Sequence, residues 1–315
     1  MIINYDKLFK YFCRNNHLDL AIKLYNLKYN FNMSIYEEAF RSACLNGHLD
    51  VVKWLIELKL EFNMSIFEEA FRLACLNGHL DIVKFMHKLK PSIYLLVNKN
   101  NEMFIFVCSN GYLNIAQWLY EFRPKNYLKK QLKSHIKMSI QKAFDVSCLN
   151  GHLNIAQWIY SKKQFNDLLR MSNFRKIFIL VCSNGHLDII KWLCRLHPLF
   201  DLLEHKTFNE EAFITACANG HLDVVKWLYC SYCSLINISA NDEEAFRIAC
   251  ANGHLDVVKW LYNMKSSIDF SARNYEALNL VRINKNFEIL KWMWLVKPQI
   301  YFDNNITSID EYQYI

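Results

Sequence analysis

The segment Ala43-Cys44-Leu45-Asn46-Gly47-His48-Leu49-Asp50-Val51-Val52-Lys53-Trp54-Leu55 returns along the whole chain with few changes, so any fold must be assembled from copies of one small unit. All seven glycines, Gly47, Gly78, Gly111, Gly151, Gly185, Gly220 and Gly253, stand at the same place in it. Two weaker copies, Cys13–Asp19 and Arg282–Glu288, extend the series outward and make nine units in 315 residues. A unit of about 33 residues cannot bury its own apolar face, so the units must stack into a solenoid in which each touches its neighbours. The spacing predicts one repeat array over 1–297, with 1–30 and 272–297 as atypical caps, and a short tail over 298–315.

Composition bounds the setting. With 53% hydrophobic residues, 21% charged and a formal charge of +7, the chain has ample core-forming material. The opening residues lack the charged leader and apolar stretch of a secretion signal, and no uninterrupted apolar run approaches the roughly 20 residues of a membrane helix. Eight of the eleven cysteines share one repeat column. Stacked neighbours are separated by about 10 Å, beyond the roughly 7 Å Cα limit for a disulfide, so reduced thiols inside a cell are expected. A monomer is expected.

Within the third unit, Ser65-Ile66-Phe67-Glu68 has the capping-box form and predicts a helix from about Ile66. Phe71, Ala74, Cys75 and Gly78 follow at helical spacing, and Gly78 ends the helix because the left-handed conformation costs other L-residues about 1–2 kcal/mol. A second helix is predicted from about Leu80, with Asp81 in its first turn and Lys84 as a surface partner. Ile82, Val83, Phe85, Met86 and Leu89 make it apolar over much of its circumference. The matching column carries tryptophan at 54, 118, 158, 192, 227, 260 and 292, read as core. Tyr120, Tyr160, Tyr229 and Tyr262 follow two positions later and are read as partly exposed.

Helix, glycine turn, helix and variable finger together resemble the ankyrin repeat, as in Ala74-Cys75-Leu76-Asn77-Gly78-His79-Leu80-Asp81-Ile82-Val83. The resemblance implies an all-α, ankyrin-like helix-turn-helix solenoid of about nine units that acts as a non-catalytic protein-interaction module. Glu69-Ala70-Phe71-Arg72 replaces the family's usual Thr-Pro-Leu-His and the Gly-Ala-Asp finger turn is missing, so irregular connecting fingers are expected. This variant looks like the ankyrin arrays of giant DNA viruses of amoebae, which implies host or viral protein partners in a host cytoplasm or nucleus. Some viral ankyrin proteins recruit ubiquitin ligases through a C-terminal box, but residues 298–315 are too short for one. In such arrays partners are read by fingers and pre-glycine residues; pairs such as Leu45-Asn46 and Ala251-Asn252 are monotonous, which assigns specificity to the fingers.

Little in the sequence asks for catalysis, and no metal or cofactor is expected. Cys-x-x-x-His recurs, as in Cys44 with His48, yet Tyr112 stands where a zinc ligand would be needed, and packing plus turn chemistry accounts for both columns. Every glycine is committed to the repeat turn, which leaves none for a phosphate-cradling loop. The widest glycine spacing, 111 to 151, contains Arg123, Lys125, Lys129, Lys130, Lys133, Lys137 and Lys142, against only Glu121 over 121–142. Arg123, Lys125, Lys129, Lys130, Lys133 and Lys137 form a candidate basic patch for nucleic acid or an acidic partner, read first as a loose solvated loop.

Overall fold

The structure, a computed structural model, describes residues 4–27, 29–58, 60–93, 101–122, 130–162, 171–196, 206–232, 234 and 236–299, without the side chains of 130–136, 171–173 and 206–207. Among these, eighteen α-helices form nine consecutive pairs and no strand occurs. The first helices are Tyr5–Arg14, Met33–Leu45, Met64–Leu76, Glu102–Ser109, Lys130–Leu149, Met171–Ser183, Lys206–Ala218, Ala240–Asn252 and Ala272–Ile283. The second helices are Leu18–Asn26, Leu49–Glu57, Leu80–Leu89, Leu113–Glu121, Leu153–Tyr160, Leu187–Leu196, Leu222–Tyr232, Leu255–Met264 and Phe287–Val296. Internal contacts divide the chain into two compact units, Met1–Ser147 with Asn154–Asn166, and Cys148–Leu153 with Asp167–Ile315. In the first, the first helices of repeats 1 to 4 pack one on the next; in the second, those of repeats 6 to 9 do the same. The all-α repeat solenoid and the absence of hairpin fingers among the described residues agree with the sequence reading.

Local chemistry sets the helix ends. The third repeat's first helix starts at Met64, two residues earlier than expected, because Asn63 rather than Ser65 is its cap: Asn63 Oδ1 accepts from the Ile66 amide at 3.0 Å. Ser65 Oγ instead donates to Asn63 Oδ1 at 2.6 Å. Asn32 caps Met33–Leu45 in the same way. The second helix begins at Leu80 as expected, but it is less buried than its composition suggests. Ile82, Val83 and Met86 are enclosed, whereas Leu89 is exposed.

At the turn, glycine is required twice over. Gly47, Gly151 and Gly220 have φ of 79°, 81° and 76°, and the amide three residues past the helix closes back on it, as from His48 to Ala43 O at 2.9 Å. The second requirement comes from the following repeat, whose imidazole lies against the glycine Cα. A Cβ on Gly47 would fall 2.6 Å from His79 Nδ1, and one on Gly220 would fall 2.4 Å from His254 Nδ1. That imidazole is fixed by its far nitrogen. His48 Nε2 donates to Arg14 O and His79 Nε2 to Leu45 O at 2.8 Å; His186 donates to Leu149 O at 2.8 Å, His221 to Ser183 O at 2.9 Å and His254 to Ala218 O at 3.0 Å. A carbonyl only accepts, so each ring carries its proton on Nε2. The asparagine before glycine is likewise consumed. Asn46 Nδ2 caps its own helix at Ser42 O, while Asn252 Nδ2 reaches the preceding repeat at Ala218 O. Asn16 and Lys285, at φ of 59° and 58°, take the glycine place in the first and ninth repeats.

The core lies between helix pairs of adjacent repeats. The column cysteines Cys13, Cys44, Cys75, Cys108, Cys148, Cys182, Cys217 and Cys250 are fully buried, and Cys44 Sγ lies 4.0 Å from Met86 Sδ of the following repeat. Most of the tryptophans are only half-buried. Their rings bridge repeats through the tyrosine column, which is partly exposed as expected: Tyr120 meets Trp158 edge-on at 5.4 Å, Tyr229 meets Trp260 at 5.5 Å and Tyr262 meets Trp292 at 5.5 Å. Such pairs add about 0.5–1.5 kcal/mol beyond area burial.

Repeats 8 and 9 contain a local feature that no glycine announces. Asn241, Asp242 and Glu243, and again Arg273, Asn274 and Tyr275, occupy left-handed backbone for three residues running. The buried Arg247 guanidinium holds the first of these turns. It donates through Nε to Asp242 O at 2.7 Å and through NH2 to Asn241 O at 3.0 Å, and pairs with Glu276 of the next repeat. Arg41 occupies the same column and pairs with Glu69 at 3.3 Å, but Arg41 is partly exposed and Glu69 exposed.

Two outcomes follow from these contacts. Gly220→Ala should destabilise by more than the roughly 1–2 kcal/mol of left-handed strain, and His254→Ala in the same chain should recover part of that loss by removing the imbedded ring; strictly additive denaturation midpoints would refute the close-approach requirement. Arg247→Ala should cost about 3 kcal/mol or more, because it strands two carbonyls and a half-buried carboxylate, whereas Arg41→Ala should cost about 1 kcal/mol or less. Equal losses in urea titrations would contradict that ranking.

Candidate functional surface

Most of the residues that invite chemistry are consumed by the architecture. The five imidazoles above are tied to carbonyls, and burial pushes the Cys13 thiol up to about 12. Burial likewise raises Cys44, Cys75, Cys182, Cys217 and Cys250, so these sulfurs stay protonated and unreactive at neutral pH. Outside the column, Cys194 Sγ accepts from the Tyr232 hydroxyl at 3.6 Å, and Cys230 is exposed. Among the described residues no three His, Cys, Asp or Glu side chains converge where they could hold a metal ion.

What remains free is a varied face of the first helices. In the first unit, one helical column reads Tyr11, Ser42, Leu73, Phe106 and Val146, with Tyr11 56% and Phe106 42% exposed. In the second unit the same column reads Leu180, Thr215, Ile248 and Leu280, with Leu180 exposed. The exposed Glu38 and Glu69 flank the column in repeats 2 and 3, paired to Lys10 at 2.7 Å and to Arg41 at 3.3 Å. Sequence reasoning passed over this column in favour of the fingers. It was visible as the one unconstrained place in Ala-Phe-Arg-x-Ala-Cys, where x changes from serine to leucine to isoleucine between otherwise matching repeats.

The basic patch is distributed differently from a loose loop. Arg123, Lys125 and Lys129 lie outside the described residues, as do the side chains of Lys130 and Lys133. Residues 130–142 belong to the helix Lys130–Leu149, and positions 130, 133 and 137 fall on one face by helical spacing. Lys137 and Lys142 are exposed. Nearby second helices drop the usual Asp and Lys for Asn114 with Gln117 and Asn154 with Gln157, so residues 101–162 hold eight Lys or Arg against Glu102, Glu121 and Asp145, a net +5.

Among the described residues, His87 is the one titratable group with a buried polar atom that lacks a partner. Its ring stands edge-on to Trp118 at 5.0 Å and to Phe122 at 5.1 Å, its Nδ1 lacks a hydrogen-bond partner, and desolvation holds its pKa below the ordinary histidine value. The neutral ring is favoured in the folded state. Its contribution is therefore fully present above about pH 6.5 and is lost as pH falls below that toward the depressed folded value. His87→Tyr, which installs the ring found at this ladder position in other repeats, should reduce the loss of thermal midpoint between pH 7.5 and 5.5. An unchanged pH dependence would show that His87 contributes nothing to it.

Comparison with known families matches this chain to the ankyrin-repeat model (three copies) over residues 42–131, 144–242, 178–274 and 216–306. No curated protein matches the chain.

Proposed function

The chain belongs to the ankyrin-repeat family, and on that premise we propose that it is a non-catalytic scaffold that binds host or viral proteins through its varied first-helix face and fingers. Ankyrin repeats are generally protein-interaction modules and typically lack catalysis. One observation carries the reading: the glycine, histidine, asparagine and cysteine columns are spent on repeat-to-repeat contacts, while a partly exposed column beside them changes from repeat to repeat. Ten described cysteines, all free, support an intracellular setting. Among the described residues no helix is long and apolar enough to cross a membrane. The resemblance to giant-virus arrays supports an infected cell as that setting.

Substituting Tyr11, Leu73 and Phe106 together with serine should abolish capture of a wild-type partner from lysate while leaving the helical circular dichroism unchanged. Retention of every partner by the triple variant would remove this face from the reading.

A second reading, nucleic-acid or acidic-partner binding, is favoured by the net +5 over residues 101–162. Replacing Lys125, Lys129, Lys130, Lys133 and Lys137 with glutamine tests it, since each lost phosphate contact flattens the log–log salt slope by about 0.9. Our reading expects weak, strongly screened wild-type binding to DNA or RNA. Tight binding that the five-glutamine variant loses would reverse the preference.

A further inference from the structure

Every glycine of the chain follows an asparagine, from Asn46-Gly47 to Asn252-Gly253, which makes seven Asn-Gly dipeptides. This dipeptide carries its own chemistry. The glycine amide nitrogen, once its proton passes to solvent base, attacks the asparagine Cγ; Nδ2 takes up a proton and leaves as ammonia, and a five-membered succinimide remains. Water then opens that ring at either carbonyl to give aspartate or isoaspartate, so one water is consumed and one ammonia released. Glycine favours the step because no Cβ crowds the approach.

All seven asparagines are exposed. Water reaches them, so conformation rather than burial decides whether they react. Ring closure needs the asparagine Cβ and the glycine nitrogen nearly eclipsed about the Cα–C bond. At Asn46, Asn77 and Asn110 ψ is 3°, 11° and 5°, which eclipses the residue's own nitrogen instead and leaves Cβ a third of a turn away. The carboxamide is also held elsewhere. Nδ2 of these three donates to the carbonyl four residues back, at 2.7, 2.8 and 2.9 Å, whereas Asn184 and Asn252 bond the preceding repeat at Leu149 O and Ala218 O. The nucleophile is occupied too: the Gly78, Gly185 and Gly253 amides donate to the Cys75, Cys182 and Cys250 carbonyls at 3.4, 3.2 and 3.3 Å.

We propose that the Asn-Gly turns are deamidation sites that the folded array holds unreactive and that opening of a repeat releases. The array makes the change one-way. Aspartate at 252 sets a carboxylate where Ala218 O needs a donor, at a helix C-terminus that disfavours negative charge. Isoaspartate adds a methylene to the backbone of a turn against which the following repeat packs. Each opening that ends in reaction therefore leaves a turn that rejoins its neighbour less well, and in a nearest-neighbour array that loss weakens the interface directly. None of this depends on which partner the array binds.

Asn284 supplies an internal comparison: its Nδ2 bonds Ala251 O at 2.7 Å as Asn252 bonds Ala218 O, but Lys285 follows it. Peptide mapping by mass spectrometry after incubation at mildly alkaline pH tests the proposal on the full chain, native in one arm and unfolded in guanidinium chloride in the other. At Asn46, Asn184 and Asn252 deamidation should run at least about tenfold slower in the native arm. In the unfolded arm Asn252 should outpace Asn284. Equal native and unfolded rates at the Asn-Gly sites, or an Asn284 that keeps pace with Asn252 once unfolded, would overturn the proposal. Asn252→Asp should lower the denaturation midpoint further than Asn252→Ala, since the carboxylate adds repulsion to the lost bond; equal midpoints would overturn the one-way step.

Discussion

In five of the described repeats one imidazole bonds the repeat before it, and many other features of the chain follow from its position. His254 illustrates the geometry: its Nδ1 edge occupies the space that a Cβ on Gly220 would need, its Nε2 donates to Ala218 O, and its own amide closes the preceding helix at Ala249 O. One side chain thus couples the turn of its own repeat to the turn of the one before. A hydrogen bond of this kind contributes only about 1 kcal/mol net. Repetition is what gives it weight, because a nearest-neighbour array sums its interface terms. The Gly-His dipeptide is therefore a contact split across repeats, each glycine accommodating the histidine of its successor.

That constraint explains where the chain is invariant and where it is free. Turn and cysteine positions cannot change without moving a neighbour. The side-chain column of Ser42, Leu73 and Phe106 lies outside these contacts, so it can vary without loss of the fold. Where the imidazole is replaced, the interface changes character: Tyr112 lies against Gly78, and Asn286 Nδ2 takes over the bond to Ala251 O at 2.8 Å.

Much of this architecture was legible in the residues, for identifiable reasons. Helix pairing and the left-handed turn follow from local spacing and from the conformational preference of glycine. The second requirement on glycine was not legible, because it arises from a ring more than thirty residues away. The same holds for the tyrosine contacts: the column was read as partly exposed, as it is, but the next repeat's tryptophan that it receives lies more than thirty residues on. Ser65 looked like a helix cap because Glu68 completes a capping box, yet Asn63 two residues earlier had the better geometry for the Ile66 amide. The left-handed turns at 241–243 and 273–275 carry no glycine, and the first is held by Arg247 from a position that elsewhere makes a solvated ion pair. The basic stretch read as loop because it interrupts the repeat spacing, whereas its second half prolongs the repeat's own helix.

The most direct test is the tautomeric state of the histidines in solution. Long-range proton–nitrogen spectra at neutral pH should find His48, His79, His186, His221 and His254 protonated at Nε2, with slowly exchanging ring protons. His17, whose ring makes no such carbonyl bond among the described residues, is the internal control and should exchange rapidly. Mixed tautomers with rapid ring-proton exchange at the five ladder positions, indistinguishable from His17, would contradict the claim that imidazole-to-carbonyl contacts join each repeat to the last.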